Sequence, residues 1–267
     1  MEEIRKGLAP EEDDPQFART LARGIDILLC YRVGESVLGN KDFAARTGLS
    51  KTTVARLMHT LAQLGYLRHD PKLAKYRLGA PVLSMGYPLL ASMQIRQLAR
   101  PLMRELAERT GGAVSLGMRD RTSMIYVETS RSTDRLVRTP DIGAPIPILT
   151  TAMGRAWLCK ADARERDEVL NRIRLNDPEH FERHYPAAMQ AVREFGQRKY
   201  CRNRGEWRGD VYGFAVPLAR SFQSQQFVVN CGIPAAAHAS AAAAEKEVAP
   251  QLISLVQSLQ ITLGMTS

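Results

Sequence analysis

The sequence predicts an α+β protein built from two parts. Residues 40–67 carry apolar side chains at three- and four-residue spacing on both sides of a glycine turn, which is typical of two short helices. From about residue 96, apolar strands alternate with helices in an order that favours an antiparallel sheet. The length of 267 residues supports the division, because domains usually contain about 100 to 200 residues.

Composition and charge indicate a globular protein with a polyanionic partner. The hydrophobic fraction of 45% and the charged fraction of 24% are ordinary for soluble proteins. The net charge of +9 is concentrated in residues 17–79, which hold eleven Lys or Arg against four Asp or Glu. Such a basic segment favours binding to nucleic acid. Residues 1–16 are acidic and lack apolar periodicity, so they predict a disordered tail.

Three further classes of protein are disfavoured. The four cysteines lie far apart, without the spacing of a metal site or a disulfide framework, so we expect free thiols in a reducing cytoplasm and no cofactor. The N-terminus lacks the order of a signal peptide, and the uncharged run at 221–244 is too polar to span a membrane. Phosphate-cradling loops and nucleophile or metalloprotease motifs are missing from the sequence, so an enzyme is not expected.

The segment 17–79 predicts three helices and a hairpin. Apolar residues recur at helical spacing from Phe17 to about Tyr31. Asn40 is a suitable N-cap for the second helix, and Gly48 suits the left-handed position that ends it. Ser50 then caps a third helix with an apolar stripe on one side. That stripe contains Val54, Leu57, Met58, Leu61 and Leu64.

The two short helices and their turn match a helix-turn-helix, in which the second helix enters the major groove. A solvated polar face is the alternative interpretation. The residues predicted to contact DNA from this helix are Ser50, Lys51, Thr52, Thr53, Arg56 and His59. A hairpin around residues 71–74 would form a wing on the neighbouring backbone. The predicted phosphate contacts are Arg19, Arg23, Lys72, Lys75 and Arg77.

The segments ARTLARGIDILL, FAARTGLSKTTVARLMHTLAQLGYLRHD and YRLGAPVLSMG closely resemble the amino-terminal winged helix-turn-helix of the IclR family of bacterial transcription regulators. The resemblance continues in RLVRTPDIGAPIPILTTAMGRAWL, GFAVPLAR and VVNCGIPA, from about residue 17 to the end. It implies a winged helix-turn-helix at 17–79, a linker helix at 80–95 and an effector-binding domain at 96–267. That last domain would have a GAF-like fold with a curved antiparallel sheet.

The resemblance also implies a function. The protein would be a ligand-responsive regulator that binds a pseudo-palindromic operator in double-stranded DNA as a homodimer or a dimer of dimers. The alternative is a ligand-sensing module that acts through protein partners rather than DNA. The Met-rich segment 80–95 would help to pair two DNA-binding domains, although an ordinary buried helix fits it as well. Pro88 is expected to limit or kink that helix.

Downstream, we expect helices at 95–109, with Leu98 inward, and at 151–160, 164–174, 186–199 and 238–263. Strands are expected on both sides of the turn at 120–122 and in DRLVRT, APIPIL, GFAVPLAR and FVVNCGI. His180, Glu182 and His184 cluster, but a loop or surface helix is favoured over a metal site because a fourth ligand is missing.

In the proteins that this chain resembles, a small organic acid lies between the sheet and the helix that carries a PLxxTAxG-like motif, here residues 147–154. The alternative is that Ala152 and Gly154 are only small packing residues. The predicted effector contacts are Thr150, Thr151, Ala152, Met153, Met118, Tyr126, Asn203, Tyr212 and Gly213. Many family members carry acids and a Cys where this chain has Asn203, Arg204, Trp207, Tyr212 and Gly213. This departure indicates a pocket with an aromatic and basic lining, which would suit an aromatic or other carboxylate. The YxxNxRGW-like pattern in YCRNRGEW resembles family members that control degradation of phenylpropionate-type compounds.

Overall fold

The computed structural model describes residues 15–132 and 140–265 and divides them into two compact units. One unit contains the described residues up to Ser92, and the other begins at Met93. The strand predicted in DRLVRT, residues 134–139, lies outside the described residues, as does most of the predicted tail.

The first unit has the predicted winged helix-turn-helix order. Its elements are α1 (Arg19–Leu28), α2 (Asn40–Thr47), α3 (Lys51–Gln63), β1 (Leu67–Asp70), β2 (Lys75–Leu78) and α4 (Pro81–Ser92). Strands β1 and β2 pair antiparallel, with Leu67 opposite Leu78. The core between the helices is formed by Ile27, Phe43, Val54, Met58 and Leu67, all of which are buried. Helix α1 is shorter at both ends than its apolar pattern predicted.

The turn between α2 and α3 follows the predicted chemistry with one correction. Asn40 is the first helical residue rather than the N-cap, because Gly39 takes that position and donates its N–H to Asp42 Oδ2 at 2.8 Å. Gly48 ends α2 with a φ of 69°, a left-handed conformation that glycine adopts without a steric penalty. Ser50 caps α3, since its Oγ accepts the N–H of Thr53 at 3.2 Å.

An Arg–Glu pair holds the loop that precedes α2. Arg46 donates to both carboxylate oxygens of Glu35, at 2.6 and 2.8 Å, and to the carbonyl oxygen of Cys30 at 2.7 Å. The hydrogen bond from Arg46 holds the pKa of Glu35 at about 2. The end of α1 and the loop after it are thereby tied to α2.

Helix α4 is apolar but has no buried residue, so the interpretation as an ordinary buried helix does not hold for the single chain. Leu83 is 81% exposed and Tyr87 is 70% exposed, and Met85 and Leu89 are exposed as well. Pro88 does not end the helix, which continues to Ser92. Met93 separates α4 from the next helix.

The second unit is a curved antiparallel sheet with helices on both faces. Its elements are α5 (Gln94–Thr110), β3 (Ala113–Asp120), β4 (Ser123–Arg131), β5 (Pro145–Pro147), α6 (Ala152–Lys160), α7 (Ala163–Asn176), α8 (Pro178–Arg198), β6 (Cys201–Asn203), β7 (Val211–Pro217), β8 (Phe227–Pro234) and α9 (Ala241–Thr262). The strand order is β5-β4-β3-β8-β7-β6. Helices α5 and α9 pack on one face and α6 on the other, with α7 and α8 outside α6.

Two details of the helices correct the sequence expectations. The helix predicted at 186–199 is the second half of α8, which begins at Pro178 and contains Pro186 in its interior. The His180 and His184 cluster therefore lies on a regular helix, whose start Asp177 caps. In α5, Leu98 is 38% exposed, and the inward positions next to it are those of Ala99 and Met103.

A single carboxylate joins the last helix to the sheet edge. Glu245 of α9 accepts hydrogen bonds from Tyr200, Arg202 and Arg204, with Arg202 at 2.6 Å and Arg204 at 2.8 Å. Burial raises the pKa of Glu245, but these hydrogen bonds outweigh it and bring the pKa to about 2. The segment around β6 is thus anchored to α9 as well as to β7.

Candidate functional site

Helix α3 presents its polar side to solvent. Lys51, Thr52, Arg56 and His59 are exposed, whereas Val54 on the opposite side is buried. Lys51 and Arg56 form no ion pair within the described part of the chain. Such uncompensated charge at the start of a helix suits a polyanion.

The hydroxyls at the start of α3 are used within the protein. Ser50 Oγ accepts from the Thr53 N–H and lies 3.0 Å from Thr53 Oγ1. Thr53 is also half-buried. Of the six helix residues predicted to contact DNA, these two primarily stabilise the helix start, and the other four present unused polar groups.

The hairpin tip is ordered by Asp70. Its Oδ1 accepts the N–H groups of Lys72 at 3.1 Å and Leu73 at 3.3 Å, and its Oδ2 pairs with Arg77 at 3.1 Å. The side chain of Lys72 is exposed and that of Lys75 is half-buried. Arg77 is therefore already paired with a carboxylate, whereas Lys72 at the tip has no such partner among the residues that the structure describes. The two α1 residues predicted on phosphates, Arg19 and Arg23, are both exposed.

In the second unit, the first turn of α6 lies directly against backbone. Thr151 caps the helix: its Oγ1 donates to the Pro147 carbonyl at 2.6 Å and accepts the Gly154 N–H at 3.1 Å. A Cβ on Gly154 would collide with the backbone of Ile148. The prediction that Gly154 is a packing residue is consistent with this contact, which fixes where the helix starts.

The effector residues predicted on three separate segments converge at this turn. A Cβ on Gly213 would lie 3.6 Å from the Cβ atoms of both Ala152 and Asn203. Asn203 donates its side-chain N–H to the Thr150 carbonyl and accepts from the Gly205 N–H. Met153 packs its sulfur against β3 at Gly117, where a side chain would collide with it.

Thr150 is the polar group that this arrangement leaves unused. The residue is 3% exposed, and its Oγ1 has no hydrogen-bond partner in the described part of the chain. Buried hydroxyls without a partner are uncommon, because they lose their hydrogen bonds to water on folding. An additional donor or acceptor would satisfy this atom.

Two predicted residues lie on the opposite face of the sheet. Side chains alternate along a strand, and Gly117 and Gly213 face α6. Met118 and Tyr212 are their neighbours and therefore face the side covered by α5 and α9. Tyr126 pairs with Gly117 and lies in the cluster around α6. Burial raises the pKa of Tyr126, and the charge of Arg208 opposes that rise.

Sequence reasoning missed three polar residues on the α6 face. Asn230 of β8 has its Oδ1 3.8 Å from a Cβ placed on Gly213. Ser115 of β3 pairs in register with Asn230 and shares a hydrogen bond of 3.1 Å with Thr129 of β4. The available signal was a polar residue inside an apolar strand, in VVNC and in AVSL.

A cavity in this unit is lined by residues other than the predicted effector contacts. It has a volume of about 210 Å³ and lies between α8 and β6. Arg155 forms one wall and donates to the carbonyl oxygens of Leu149 and Arg202 and to Glu206. Arg204 also lines this cavity, whereas Trp207 packs in the cluster around α6.

Residues 15–132 and 140–265 offer neither a metal site nor a membrane-spanning helix. Nowhere in them do three or more His, Cys, Asp or Glu side chains group so as to hold a metal ion. The rings of His180 and His184 lie 4.6 Å apart, and burial lowers the pKa of His184. Of the helices in those residues, none is both long and apolar enough to cross a bilayer.

Comparison with known proteins matches both units. Residues 20–71 match the family model described as IclR helix-turn-helix domain, and residues 88–260 match Bacterial transcriptional regulator IclR C-terminal. The HTH-type transcriptional regulator TsaQ1/TsaQ2 of Comamonas testosteroni is 31% identical over 252 residues, which are 94% of this chain and 90% of that protein.

Solved structures agree with these matches. An IclR family transcriptional regulator from Brucella abortus has a TM-score of 0.84 and 37% identity and covers 95% of each chain. An IclR homologue from Microbacterium hydrocarbonoxydans, complexed with 4-hydroxybenzoate, has a TM-score of 0.66 and covers 90% of this chain and 99% of that one. At 20% identity, this second likeness shows the shared fold alone.

Gly154→Ala tests the contact that positions α6. We expect the added methyl group to destabilise the protein by about 2 kcal/mol or more, because a backbone contact cannot be relieved by a side-chain rotation. The matched control is Gly196→Ala in α8, where no atom lies within 4 Å of the added Cβ. This control should be neutral or stabilising by up to about 1 kcal/mol. Urea unfolding of both variants makes the comparison, and equal stabilities would contradict the assigned contact.

Proposed function

Because this chain belongs to the IclR family of bacterial transcription regulators, we propose that a small organic acid bound in its second unit controls its binding to an operator. As a member of that family it is a DNA-binding regulator with an effector-binding domain. The finer proposal assigns DNA contact to residues 17–79, linkage to 80–95 and effector binding to 96–267. Its place of action would be the cytoplasm.

The DNA interface is proposed on the exposed side of α3. Lys51, Thr52, Arg56 and His59 are exposed on a helix whose opposite side is buried in the core. Helix-turn-helix proteins place the N-terminal part of this helix against base edges, so these residues would contact bases and flanking phosphates. Lys72 at the hairpin tip, with Lys75 behind it, would contact the adjacent phosphates, as would Arg19 and Arg23 of α1.

Removal of two cations from α3 tests the interface. We expect Lys51→Ala/Arg56→Ala to lower operator affinity by about 10- to 100-fold and to reduce the slope of log affinity against log salt by about 1 to 2, because fewer counterions are released. The control removes two exposed cations from the second unit, Lys160→Ala/Arg172→Ala. Affinity measured across a salt series should leave the control unchanged. Equal slopes for both double variants would contradict the assignment.

The effector site is proposed at the start of α6. Three observations support it: the unpartnered Thr150 hydroxyl, the convergence of Ala152, Asn203 and Gly213, and the polar Asn230 on the same face. Main-chain N–H groups in the first turn of a helix favour a carboxylate. Met118 and Tyr212 are left out of this proposal because they face the other side of the sheet.

An aromatic acid is the proposed ligand class. Tyr126 packs in the same cluster as Met153 of α6. Burial raises the pKa of Tyr126, and the charge of Arg208 lowers it by less. Arg208 also pairs with Asp210 at 2.9 Å, so a carboxylate would share or replace that partner. The relative from Microbacterium hydrocarbonoxydans, complexed with 4-hydroxybenzoate, has the same fold and gives a first compound to test.

Thr150→Val separates ligand binding from stability. The valine is similar in shape and removes a hydroxyl that makes no hydrogen bond in the described structure, so the free energy of unfolding should stay the same or rise by up to about 1 kcal/mol. Affinity for the effector should fall by about 10-fold, because a buried hydrogen bond is lost.

The ligand is first found by thermal-shift measurements with aromatic carboxylates, including 4-hydroxybenzoate, and with short aliphatic acids. Calorimetric titration then compares the wild type with Thr150→Val. A variant that loses stability but binds as tightly as the wild type would contradict the role of Thr150. If neither class of acid raises the melting temperature, the proposed ligand class is wrong.

The apolar helix α4 is the proposed dimer contact. Leu83, Met85 and Tyr87 are exposed in the single chain, and contiguous apolar surface of this kind marks an interaction site. A twofold dimer would also place two copies of α3 on the half-sites of a pseudo-palindrome.

Leu83→Glu/Met85→Glu should weaken the dimer by about 10-fold or more, because charged side chains would be buried in the contact. The control Leu175→Glu changes an exposed leucine of α7 in the other unit. Sedimentation velocity over a range of concentrations distinguishes them. A double variant that dimerises like the wild type would exclude α4 from the interface.

A further inference from the structure

Two of the four cysteines lie next to each other although they are far apart in sequence. Cys159 is near the end of α6 and Cys201 begins β6, and their sulfur atoms are 3.4 Å apart. Both are free thiols. The other two are separate: Cys30 hydrogen-bonds within the first unit, and the sulfur of Cys231 contacts the Thr110 hydroxyl.

The two sulfur atoms are in non-bonded contact. A disulfide requires about 2.05 Å between the sulfur atoms, so the two would have to approach by about 1.4 Å. Cys159 is on the last turn of α6, and Cys201 is at the strand edge of the sheet. A shift of this size needs side-chain rotation and a small backbone adjustment rather than unfolding.

The pair is open to small molecules. Cys159 is partly exposed, and its sulfur donates a hydrogen bond to the carbonyl of Arg155 at 3.1 Å. The buried Cys201 lines the cavity of about 210 Å³ between α8 and β6. Arg155, Arg198 and Arg202 also line that cavity together with Glu194 and Glu206, and each of the three arginines is paired with a glutamate. The thiolate is the reactive form of cysteine, so the thiol that solvent reaches is the one that can react first.

We propose that Cys159 and Cys201 are an oxidant-sensing pair that reacts with hydrogen peroxide and closes to an intrachain disulfide. The Cys159 thiolate attacks one peroxide oxygen, the O–O bond breaks, and the departing hydroxide takes a proton and leaves as water. Cys201 then attacks the sulfenic sulfur, the S–O bond breaks, and a second water leaves with the Cys201 proton. Two thiols are oxidised by two electrons, and one peroxide is reduced to two waters.

The order of attack follows from exposure. Cys159 is the thiol that solvent reaches, whereas Cys201 is buried and its pKa is raised by the hydrogen bond with Cys159 and by desolvation. Cys201 is therefore the thiol that resolves the sulfenic acid. The proposed bond would join the end of α6 to β6, whose Asn203 donates to the Thr150 carbonyl. This inference is independent of which effector the protein binds.

The test treats reduced full-length protein with a small excess of hydrogen peroxide, alkylates the remaining thiols under denaturing conditions and maps the peptides by mass spectrometry. We expect a peptide that links Cys159 to Cys201, lighter by two hydrogens than the separate thiol peptides and cleaved by dithiothreitol. Cys30 and Cys231 should be alkylated in full. The oxidised protein should also melt at a higher temperature, because the link restricts the unfolded chain.

Variants separate the pair from nonspecific oxidation. Cys159→Ser, at the partly exposed position, should abolish the linked peptide while melting like the reduced wild type, and Cys30→Ala should retain it. Cys201→Ser should stop the reaction at an oxidised Cys159 thiol, and Cys159→Ser serves alone if that variant fails to fold. Free, alkylated Cys159 and Cys201 after peroxide treatment, or sulfinic acid on Cys159 without a link, would overturn the proposal.

Discussion

The arrangement of the second unit depends on a direct backbone contact between α6 and the segment before it, with no side chain in between. The first turn of α6 lies on the backbone of the preceding segment at Gly154, and Met153 fills the space above Gly117 of β3. Because neither glycine position can hold a larger residue, α6 has one depth and one starting point on the sheet. That depth places the Thr150 hydroxyl in the interior and brings Ala152 beside β6 and β7. The position of the proposed ligand site is thus set by the packing of α6 on the sheet.

The first unit could be predicted from the sequence because its signals are local. The left-handed Gly48, the Ser50 cap and the apolar spacing of α3 each act within a few residues and have their predicted roles. Leu64 is the exception in the predicted apolar stripe, because α3 ends at Gln63 and Leu64 is 60% exposed. The predicted N-cap of α2 is wrong by one residue, because Gly39 takes that position and its N–H donates to the Asp42 carboxylate. Local signals failed at Pro186, since packing against α6 and α7 keeps α8 continuous despite the lost backbone hydrogen bond.

The effector site was predictable only in part, because it depends on contacts between distant strands. The PILTTAMG segment identified the α6 wall, but whether a strand residue faces that wall is decided by register. A bulge at Val127 of β4, opposite Leu116 and Gly117, shifts the pairing of β4 with β3, and a shift of one residue moves a side chain to the other face. The sequence therefore does not show which face Met118 and Tyr212 occupy, or that Asn230 lies on the α6 face. The proximity of Cys159 and Cys201 could not be predicted for the same reason, because it depends on the tertiary fold and not on their spacing in the sequence.

The exposed helix α4 also bears on how long the protein survives in a cell. An unassembled chain presents Leu83, Met85 and Tyr87 to solvent on a helix that has no buried residue. Segments with few packed contacts open readily, and apolar residues in an open segment are what proteases and chaperones bind. Burial of this helix in an assembly would protect it from degradation. The abundance of the regulator would then rise more steeply than its rate of synthesis, because chains made at low concentration are degraded before they meet a partner.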